Sequence, residues 1–230
     1  MTQQIVFLSG ILCDWGLWEI QMDALSDVAE CQCISPEGTS IEEMARSVLN
    51  QAPDTFILSA SSMGGYIGME MARIAPERIE MLILSNTSAR QDHPKQRELR
   101  LSTIDELKAG DFDTVVERLV PALVSPERRD DEELLTSIRH MMHRVGPETT
   151  LRQQLATLDR PDYRPFLKTL GLRTKVISCG HDRVTLPQHG AEIADLVSGA
   201  ELQHLPQAGH LSPLETPDAV THLLRNWLPK

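Results

Sequence analysis

The chain is poor in cysteine and aromatic residues, and no lysine or arginine precedes Arg46. The four cysteines (Cys13, Cys31, Cys33 and Cys179) form no C-x-x-C pair and no His/Cys set at zinc spacing, which predicts reduced thiols and no metal. The apolar N-terminus has no basic region ahead of it, unlike a secretory signal, and no apolar run reaches membrane-spanning length. The sequence therefore predicts a cytoplasmic protein without membrane segments.

Basic residues are also scarce relative to acidic ones. The 230 residues carry 22 lysines and arginines against 33 aspartates and glutamates, a formal net charge of -11. Such a balance argues against a nucleic-acid-binding protein, which needs a basic surface, and against binding to an anionic membrane. The length fits one α/β domain, or a core with a modest insertion, and the sequence leaves the oligomeric state open.

Short apolar runs bounded by turn residues predict six strands, several of them apolar on both faces, as a parallel sheet covered on both sides requires. These are Ile5–Leu8, Cys31–Ser35, Thr55–Ala60, Glu80–Ser85, Lys175–Cys179 and Glu201–Leu205. Helical periodicity occupies most of the intervals, with Ser40 as a predicted N-cap and Pro76 ending one helix. The alternation predicts a doubly wound α/β fold with helices on both faces of the sheet.

One interval breaks the alternation, because residues 90–164 contain helical stretches and no convincing strand. We therefore expect a core of residues 1–89 and 165–230 with a helical insertion, residues 90–164, between the fourth and fifth strands. The insertion is either a lid over a site at the carboxyl edge of the sheet or an ordinary helical subdomain. Its arginines either meet an anionic substrate group or pair with neighbouring helical carboxylates.

A serine stands where the third strand turns into a helix, in the segment Ala60-Ser61-Ser62-Met63-Gly64-Gly65. A serine on such a tight turn exposes its hydroxyl, and small residues two before and two after it, here Ala60 and Gly64, let the backbone segments approach. The alternative is that the serine only caps the helix. The motif predicts Ser62 as a nucleophile.

Asp182 and His210 follow the fifth and sixth strands. Taken alone, Asp182 is a turn residue and His210 a surface histidine. However, Ser62, Asp182 and His210 each follow a parallel strand and so meet at one edge of the sheet, in the order Ser, Asp, His. We expect a catalytic triad in which His210 is the general base and Asp182 orients it.

The remaining site predictions concern the oxyanion and the substrate. The backbone N–H of Met63, directly after the nucleophile, and that of Ile11, in the loop after the first strand, are the expected oxyanion donors. The predicted substrate-binding side chains are Leu12, Trp15, Trp18, Met141 and Met142. For the two tryptophans, packing of their loop on the core is the alternative.

The chain resembles the α/β-hydrolase superfamily, specifically the small capped branch of esterases, enol-lactonases and C–C hydrolases. The resemblance covers nearly the whole chain through FLSGILCDWGLW, SASSMGGYIGMEMARIAPERI, RPDYRP, CGHDRVTLP and LPQAGHLSPLETPDAV. It implies an α/β-hydrolase fold with a mostly parallel sheet of about six strands, a helical cap, and hydrolysis through Ser62 without metal or cofactor. The family usually has His-Gly ahead of the oxyanion residue and Gly-His ahead of the nucleophile; this chain has Ser9-Gly10 and Ala60-Ser61.

The sequence thus favours a serine hydrolase that cleaves a small carboxylic ester, lactone or thioester through an acyl-enzyme. Two alternatives stay open: a C–C bond hydrolase or lyase with the same triad, and a ligand-binding sensor on a hydrolase scaffold. A serine rather than an aspartate at the elbow argues against haloalkane dehalogenases and epoxide hydrolases of this fold. The nature of the ester and the length of its acyl chain are not determined by the sequence.

Overall fold

Six parallel strands form one sheet in the computed structural model, which describes residues 2–229. The strand order is β2-β1-β3-β4-β5-β6, and every neighbouring pair is parallel. The strands are β1 (Gln3–Leu8), β2 (Ala29–Cys33), β3 (Phe56–Ser61), β4 (Ile79–Ser85), β5 (Thr174–Cys179) and β6 (Glu201–Leu205). All six predicted strands are confirmed. The bounds of the edge strand β2 differ most, because its pairing with β1, from Gln3–Ala29 to Phe7–Cys33, sets them rather than its apolar pattern.

Within residues 2–229, ten α-helices connect and flank the strands. They are α1 (Glu19–Leu25), α2 (Ile41–Gln51), α3 (Met63–Ile74), α4 (Pro94–Ala109), α5 (Phe112–Leu123), α6 (Glu132–Leu158), α7 (Arg164–Leu167), α8 (Pro187–Leu196), α9 (Ser212–Glu215) and α10 (Pro217–Trp227). The predicted N-cap of α2 is confirmed, since the Ser40 hydroxyl accepts a hydrogen bond from the Glu43 N–H at 3.1 Å. Among the described residues, no helix is both long and apolar enough to span a bilayer.

Both faces of the sheet are buried along the central strands β1, β3, β4 and β5, as their continuous apolar runs require, whereas the edge strand β6 is mostly exposed. Alternate residues of β1 point to opposite sides, so that Phe7 packs with residues of α1 and α10 and Leu8 with residues of α2, α3 and α8. These two hydrophobic clusters lie on opposite faces of the sheet. The carboxyl ends of the strands are thereby fixed at one edge, with helices on either side.

The interval between β4 and β5 is helical, as predicted, and holds α4, α5, α6 and α7. Gly146, at φ 74°, breaks the helical geometry inside α6, directly before Pro147. Apolar side chains of α5 and α6, such as Val116 and Ile138, belong to the same hydrophobic cluster as Phe7. Helices α5 and α6 therefore pack against the sheet.

Helix α3 approaches the end of β1 more closely than any side chain at position 64 would allow. A Cβ at Gly64 would lie 2.6 Å from the Leu8 carbonyl oxygen, and that oxygen belongs to the backbone of a central strand and cannot move aside. Gly64 thus sets the distance between the first turn of α3 and the strand whose end carries the Ile11 loop.

We expect Gly64→Ala to lower the free energy of unfolding by about 1–3 kcal/mol, the usual cost of overpacking a closely packed site. Gly171→Ala is the matched control, because its Cβ would meet nothing within 4 Å. Urea unfolding of the two variants and the wild type checks the expectation. Equal stabilities of the two variants would contradict the role given to Gly64.

Candidate active site

Ser62 occupies a strained turn between β3 and α3. Its backbone, at φ 54° and ψ -117°, lies in a region that side-chain-bearing residues rarely adopt. Three hydrogen bonds hold this turn: the Ser62 N–H donates to the Ser85 carbonyl at 3.0 Å, and the Ser62 carbonyl accepts from the Thr87 hydroxyl at 2.7 Å and from the Gly65 N–H at 2.9 Å. The end of β4 therefore holds the serine in the geometry that lifts its hydroxyl out of the sheet.

The small residues around Ser62 are needed for space, as predicted. Ala60 lies inside β3, where it needs no positive φ, and its methyl group faces Gly68, where a Cβ would lie only 3.3 Å away. A Cβ at Gly10 would lie 3.0 Å from the Ser62 Cβ, so the Ile11 loop passes directly over the serine. Alanine at position 60 is thus compatible with the turn.

The structure brings together the three residues predicted to form the triad. The Ser62 Oγ lies 3.0 Å from His210 Nε2, and His210 Nδ1 lies 2.8 Å from Asp182 Oδ2. An ionised carboxylate can only accept, so His210 Nδ1 carries the proton and Nε2 is left to accept from the Ser62 hydroxyl. This arrangement can deprotonate Ser62 as it attacks an electrophile.

Asp182 is almost completely buried and is surrounded by hydrogen-bond donors. Its Oδ1 accepts from the Val184 and Thr185 N–H groups at 2.8 and 2.9 Å, and its Oδ2 accepts from Asn86 Nδ2 at 2.9 Å as well as from His210. Burial alone would raise the pKa of Asp182, but the charge of His210 and the hydrogen bonds from His210, Asn86 and Thr185 together lower this pKa below its ordinary value. The carboxylate is therefore held ionised.

Asn86 supports the site through a contact with Asp182 that could not be seen in the sequence. It follows β4 with φ 48°, a conformation that asparagine tolerates better than most residues. Its amide nitrogen donates to Asp182, and its amide oxygen accepts from the Ser212 hydroxyl at 2.9 Å. Asn86 thus links the segments after β4, β5 and β6. An asparagine at the end of a strand next to the nucleophile is the signal that could have identified it.

The loop that carries His210 is bound to the helical insertion. The His210 N–H donates to the Leu123 carbonyl at 2.8 Å, and buried Glu215 accepts from the Gly209 N–H at 3.1 Å and from the Ser125 N–H at 2.6 Å. Burial raises the pKa of Glu215, although these N–H groups oppose the shift. Glutamate is usually exposed, so nothing in the sequence singled out Glu215 as a buried residue of the site.

The two predicted oxyanion donors belong to segments next to Ser62, since Met63 follows it in the chain and Ile11 lines the same cavity. Met63 is the first residue of α3, where a backbone N–H has no acceptor within the helix. Among residues 2–229 no acceptor pairs with the Ile11 N–H, whereas the neighbouring Leu12 N–H donates to Gln153 Oε1 at 3.0 Å. Leu12 itself has φ 64°, and this strained turn orients the loop beside the serine.

A cavity of about 140 Å³ opens beside Ser62 and His210. Most of its lining is apolar, and the insertion supplies Arg100, Leu119, Leu123 and Gln154. An engineered cavity of about 150 Å³ in another protein binds benzene, so the space beside Ser62 suits a group of that size.

Of the five predicted substrate-binding side chains, the structure brings only Leu12 to this cavity. Trp18 is completely buried, where its indole packs on Phe7 and donates to the Leu8 carbonyl. Trp15 is 46% exposed and stacks against the guanidinium of Arg144. Met141 and Met142 are buried in the hydrophobic cluster formed by the insertion and the sheet. These four side chains pack the loop and the insertion instead of lining the cavity, because apolar character alone does not separate a pocket wall from a core residue.

The cysteines offer neither a competing nucleophile nor a metal site. Cys13 lines the cavity, but burial raises its pKa to about 12, so that it stays protonated. All four cysteines are free thiols. Within residues 2–229, no group of three or more histidine, cysteine, aspartate or glutamate side chains is placed to hold a metal ion.

The chain is similar to a known protein family and to individual proteins in both sequence and structure. A family model described as alpha/beta hydrolase fold matches residues 4–217. The pimeloyl-[acyl-carrier protein] methyl ester esterase of Nitrosospira multiformis is 27% identical over 183 residues, which cover 77% of this chain and 70% of that protein. Among solved structures, a thermophilic esterase from Thermogutta terrifontis (malate bound) aligns with a TM-score of 0.89 at 26% identity over 99% of this chain and 89% of its own. The enol-lactonase from Burkholderia xenovorans LB400 aligns with a TM-score of 0.88 at 24% identity, and the alignment covers 98% of this chain and 91% of that protein.

The lowered pKa of Asp182 predicts a pH-dependent contribution to stability. The contribution is complete above the unfolded-state pKa of about 3.9 and is lost as the pH falls through the lower folded-state pKa. We therefore expect the difference in free energy of unfolding between wild type and Asp182→Asn to shrink as the pH falls below about 4. Urea unfolding from pH 7 to pH 3 measures it. A difference that stays constant down to pH 3 would contradict the ionised state of Asp182.

Proposed function

The chain belongs to the alpha/beta hydrolase family and is an enzyme of that family, and we propose that it is a serine hydrolase that cleaves small carboxylic esters, lactones or thioesters. The observation that carries the proposal is the series of contacts from Ser62 through His210 to Asp182 at the carboxyl edge of the sheet. The esterase names of the relatives from Nitrosospira multiformis and Thermogutta terrifontis support an ester-type substrate.

The first half of the proposed reaction forms an acyl-enzyme. The Ser62 oxygen attacks the substrate carbonyl carbon while His210 Nε2 takes the hydroxyl proton, and Asp182 stabilises the resulting imidazolium. The Met63 and Ile11 N–H groups stabilise the negative charge on the former carbonyl oxygen. Collapse of this intermediate expels the alcohol or thiol, which receives the proton from His210, and leaves the acyl group on Ser62.

The second half of the reaction releases the acid. A water molecule attacks the acyl carbon as His210 takes its proton, and the same N–H groups stabilise the second oxyanion. When the intermediate collapses, the proton passes from His210 to the Ser62 oxygen, and the carboxylic acid leaves. Since every proton moves between Ser62, His210, substrate and water, the residues present suffice for the cycle.

We infer that the helical insertion acts as a lid. Four of its side chains line the cavity, and its backbone contacts the His210 loop at Leu123 and Ser125. A cover over the cavity excludes water from the developing oxyanion and strengthens the hydrogen bonds made to it. We assign residues 90–164 as this lid and residues 1–89 and 165–230 as the catalytic core.

The cavity limits the part of the substrate that lies beside Ser62. Its volume of about 140 Å³ suits a short acyl group, and the apolar side chains of Ile11, Leu119 and Leu211 favour a hydrocarbon segment next to the carbonyl. A small-molecule ester fits this space.

The free thiols of the chain support the cytoplasm as its compartment.

We expect Ser62→Ala to lower kcat for phenyl butanoate by roughly 10⁵–10⁶-fold, the size of loss found when a triad serine is removed. Release of phenol, followed by absorbance, measures it. Ser88→Ala is the matched control, since Ser88 is buried after the neighbouring strand and does not line the cavity. Turnover by Ser62→Ala within tenfold of the wild type would exclude the acyl-enzyme mechanism, and binding of the ester without turnover by the wild type would favour a ligand-binding protein.

A further inference from the structure

Arg100 is a charged side chain in a cavity that is otherwise mostly apolar. It extends from α4, is 14% exposed, and lines the same cavity as Ser62 and His210. One edge of its guanidinium donates to Asp92, at 2.8 Å from Nε, and its NH1 nitrogen donates to Gln154 Oε1 at 2.6 Å. Its NH2 nitrogen donates to Asp92 Oδ1 at 3.4 Å. Together these contacts use three of the five N–H groups, so the guanidinium retains donors for a further partner.

The Asp92 carboxylate serves two arginines at once. Arg160, which is almost completely buried, donates to Asp92 Oδ1 at 2.7 Å, while Arg100 donates mainly to Oδ2. Burial alone would raise the pKa of Asp92, but hydrogen bonds and charge from Arg100 and Arg160 lower it, so that Asp92 is ionised. Within residues 2–229, no other carboxylate forms a salt bridge with either arginine. The cluster of Asp92, Arg100 and Arg160 therefore carries one net positive charge.

The cavity contains nothing that compensates this charge. Its lining holds no aspartate or glutamate, and the nearest functional carboxylate, that of Asp182, lies behind His210 and is already bonded to it. Arg160 is not part of the lining; it supports the cavity from behind, with its guanidinium 4.2 Å from the ring centre of Tyr66. Because Arg100 shares the Asp92 carboxylate with Arg160, its charge is only partly compensated, and a partly buried cation in this state favours an anion beside it.

We propose that Arg100 binds a carboxylate of the substrate, so that the natural substrate is a short ester, lactone or thioester that carries a second, free carboxylate. This inference rests on the proposed function of Ser62 and narrows its substrate class. Arginine suits the task because its planar guanidinium donates two parallel hydrogen bonds to a carboxylate. The apolar lining then contacts the carbons that separate the two carbonyl groups.

A matched pair of substrates tests the proposal. Monomethyl succinate carries the free carboxylate, and methyl 4-oxopentanoate replaces it with an acetyl group of the same shape. We expect the wild type to prefer the succinate ester in kcat/KM by about 10- to 100-fold, as a hydrogen-bonded charge pair implies. Arg100→Gln should bring the ratio close to one, and Arg100→Lys should restore part of it. A ratio does not depend on the fraction of folded protein, so a merely structural role of Arg100 would leave it unchanged.

Arg97→Gln is the control for this variant. Arg97 lies one turn earlier on α4 and also bonds α4 to the end of α6, at Leu158 and Asp159, but it is exposed and does not line the cavity. The substrate ratio of Arg97→Gln should equal that of the wild type. An unselective wild type, or an Arg100→Gln variant that keeps the preference, would overturn the proposal.

Binding separates the failure of this proposal from the failure of the proposed function. Calorimetric titration of succinate into Ser62→Ala requires no catalysis, and we expect the Kd to rise by at least about tenfold when Arg100→Gln is added. Equal binding to the two proteins, or binding to neither, would contradict a carboxylate site at Arg100. Turnover of phenyl butanoate that depends on Ser62 would, in either case, leave the serine hydrolase assignment standing.

Discussion

The site depends on one backbone constraint, the left-handed turn at Ser62. A residue with a side chain adopts this conformation at a cost of order 1–3 kcal/mol, and only surrounding contacts make it persist. Here the contacts come from β4, through the Ser85 carbonyl and the Thr87 hydroxyl, and from the close approach of Gly64 to β1. The two strands beside β3 thus hold the serine hydroxyl at the edge of the sheet, where the loops after β5 and β6 can reach it.

The fold and the three central residues could be predicted because they leave local signals. Apolar runs that are buried on both faces mark parallel strands, and parallel strands place whatever follows them at one edge. Ser62, Asp182 and His210 each follow a strand, so a topological rule locates them without knowledge of side-chain packing. The helical character of the interval between β4 and β5 was also predictable, since proline and glycine interrupt residues 90–164 and no strand pattern appears there.

The supporting residues could not be predicted, because their roles depend on contacts between distant segments. Asn86, Glu215 and Arg100 resemble ordinary polar residues in the sequence, yet Asn86 bonds to Asp182, Glu215 joins the His210 loop to the insertion, and Arg100 reaches the cavity. Conversely, four residues that were expected to line the pocket pack inside the protein or on its surface. Trp18 and Met142 are as apolar as a pocket wall, and only the path of the chain decides that they belong to the core.

The central claim is that the folded protein activates Ser62 as a nucleophile. Labelling with a fluorophosphonate, read by intact mass and peptide mapping, tests it most directly, because this reagent reacts with activated serines. We expect the folded wild type to gain one label, mapped to Ser62 and not to the adjacent Ser61, and we expect no label on Ser62→Ala or on heat-unfolded protein. Folded wild type that stays unlabelled, or a label that persists in Ser62→Ala, would contradict the account.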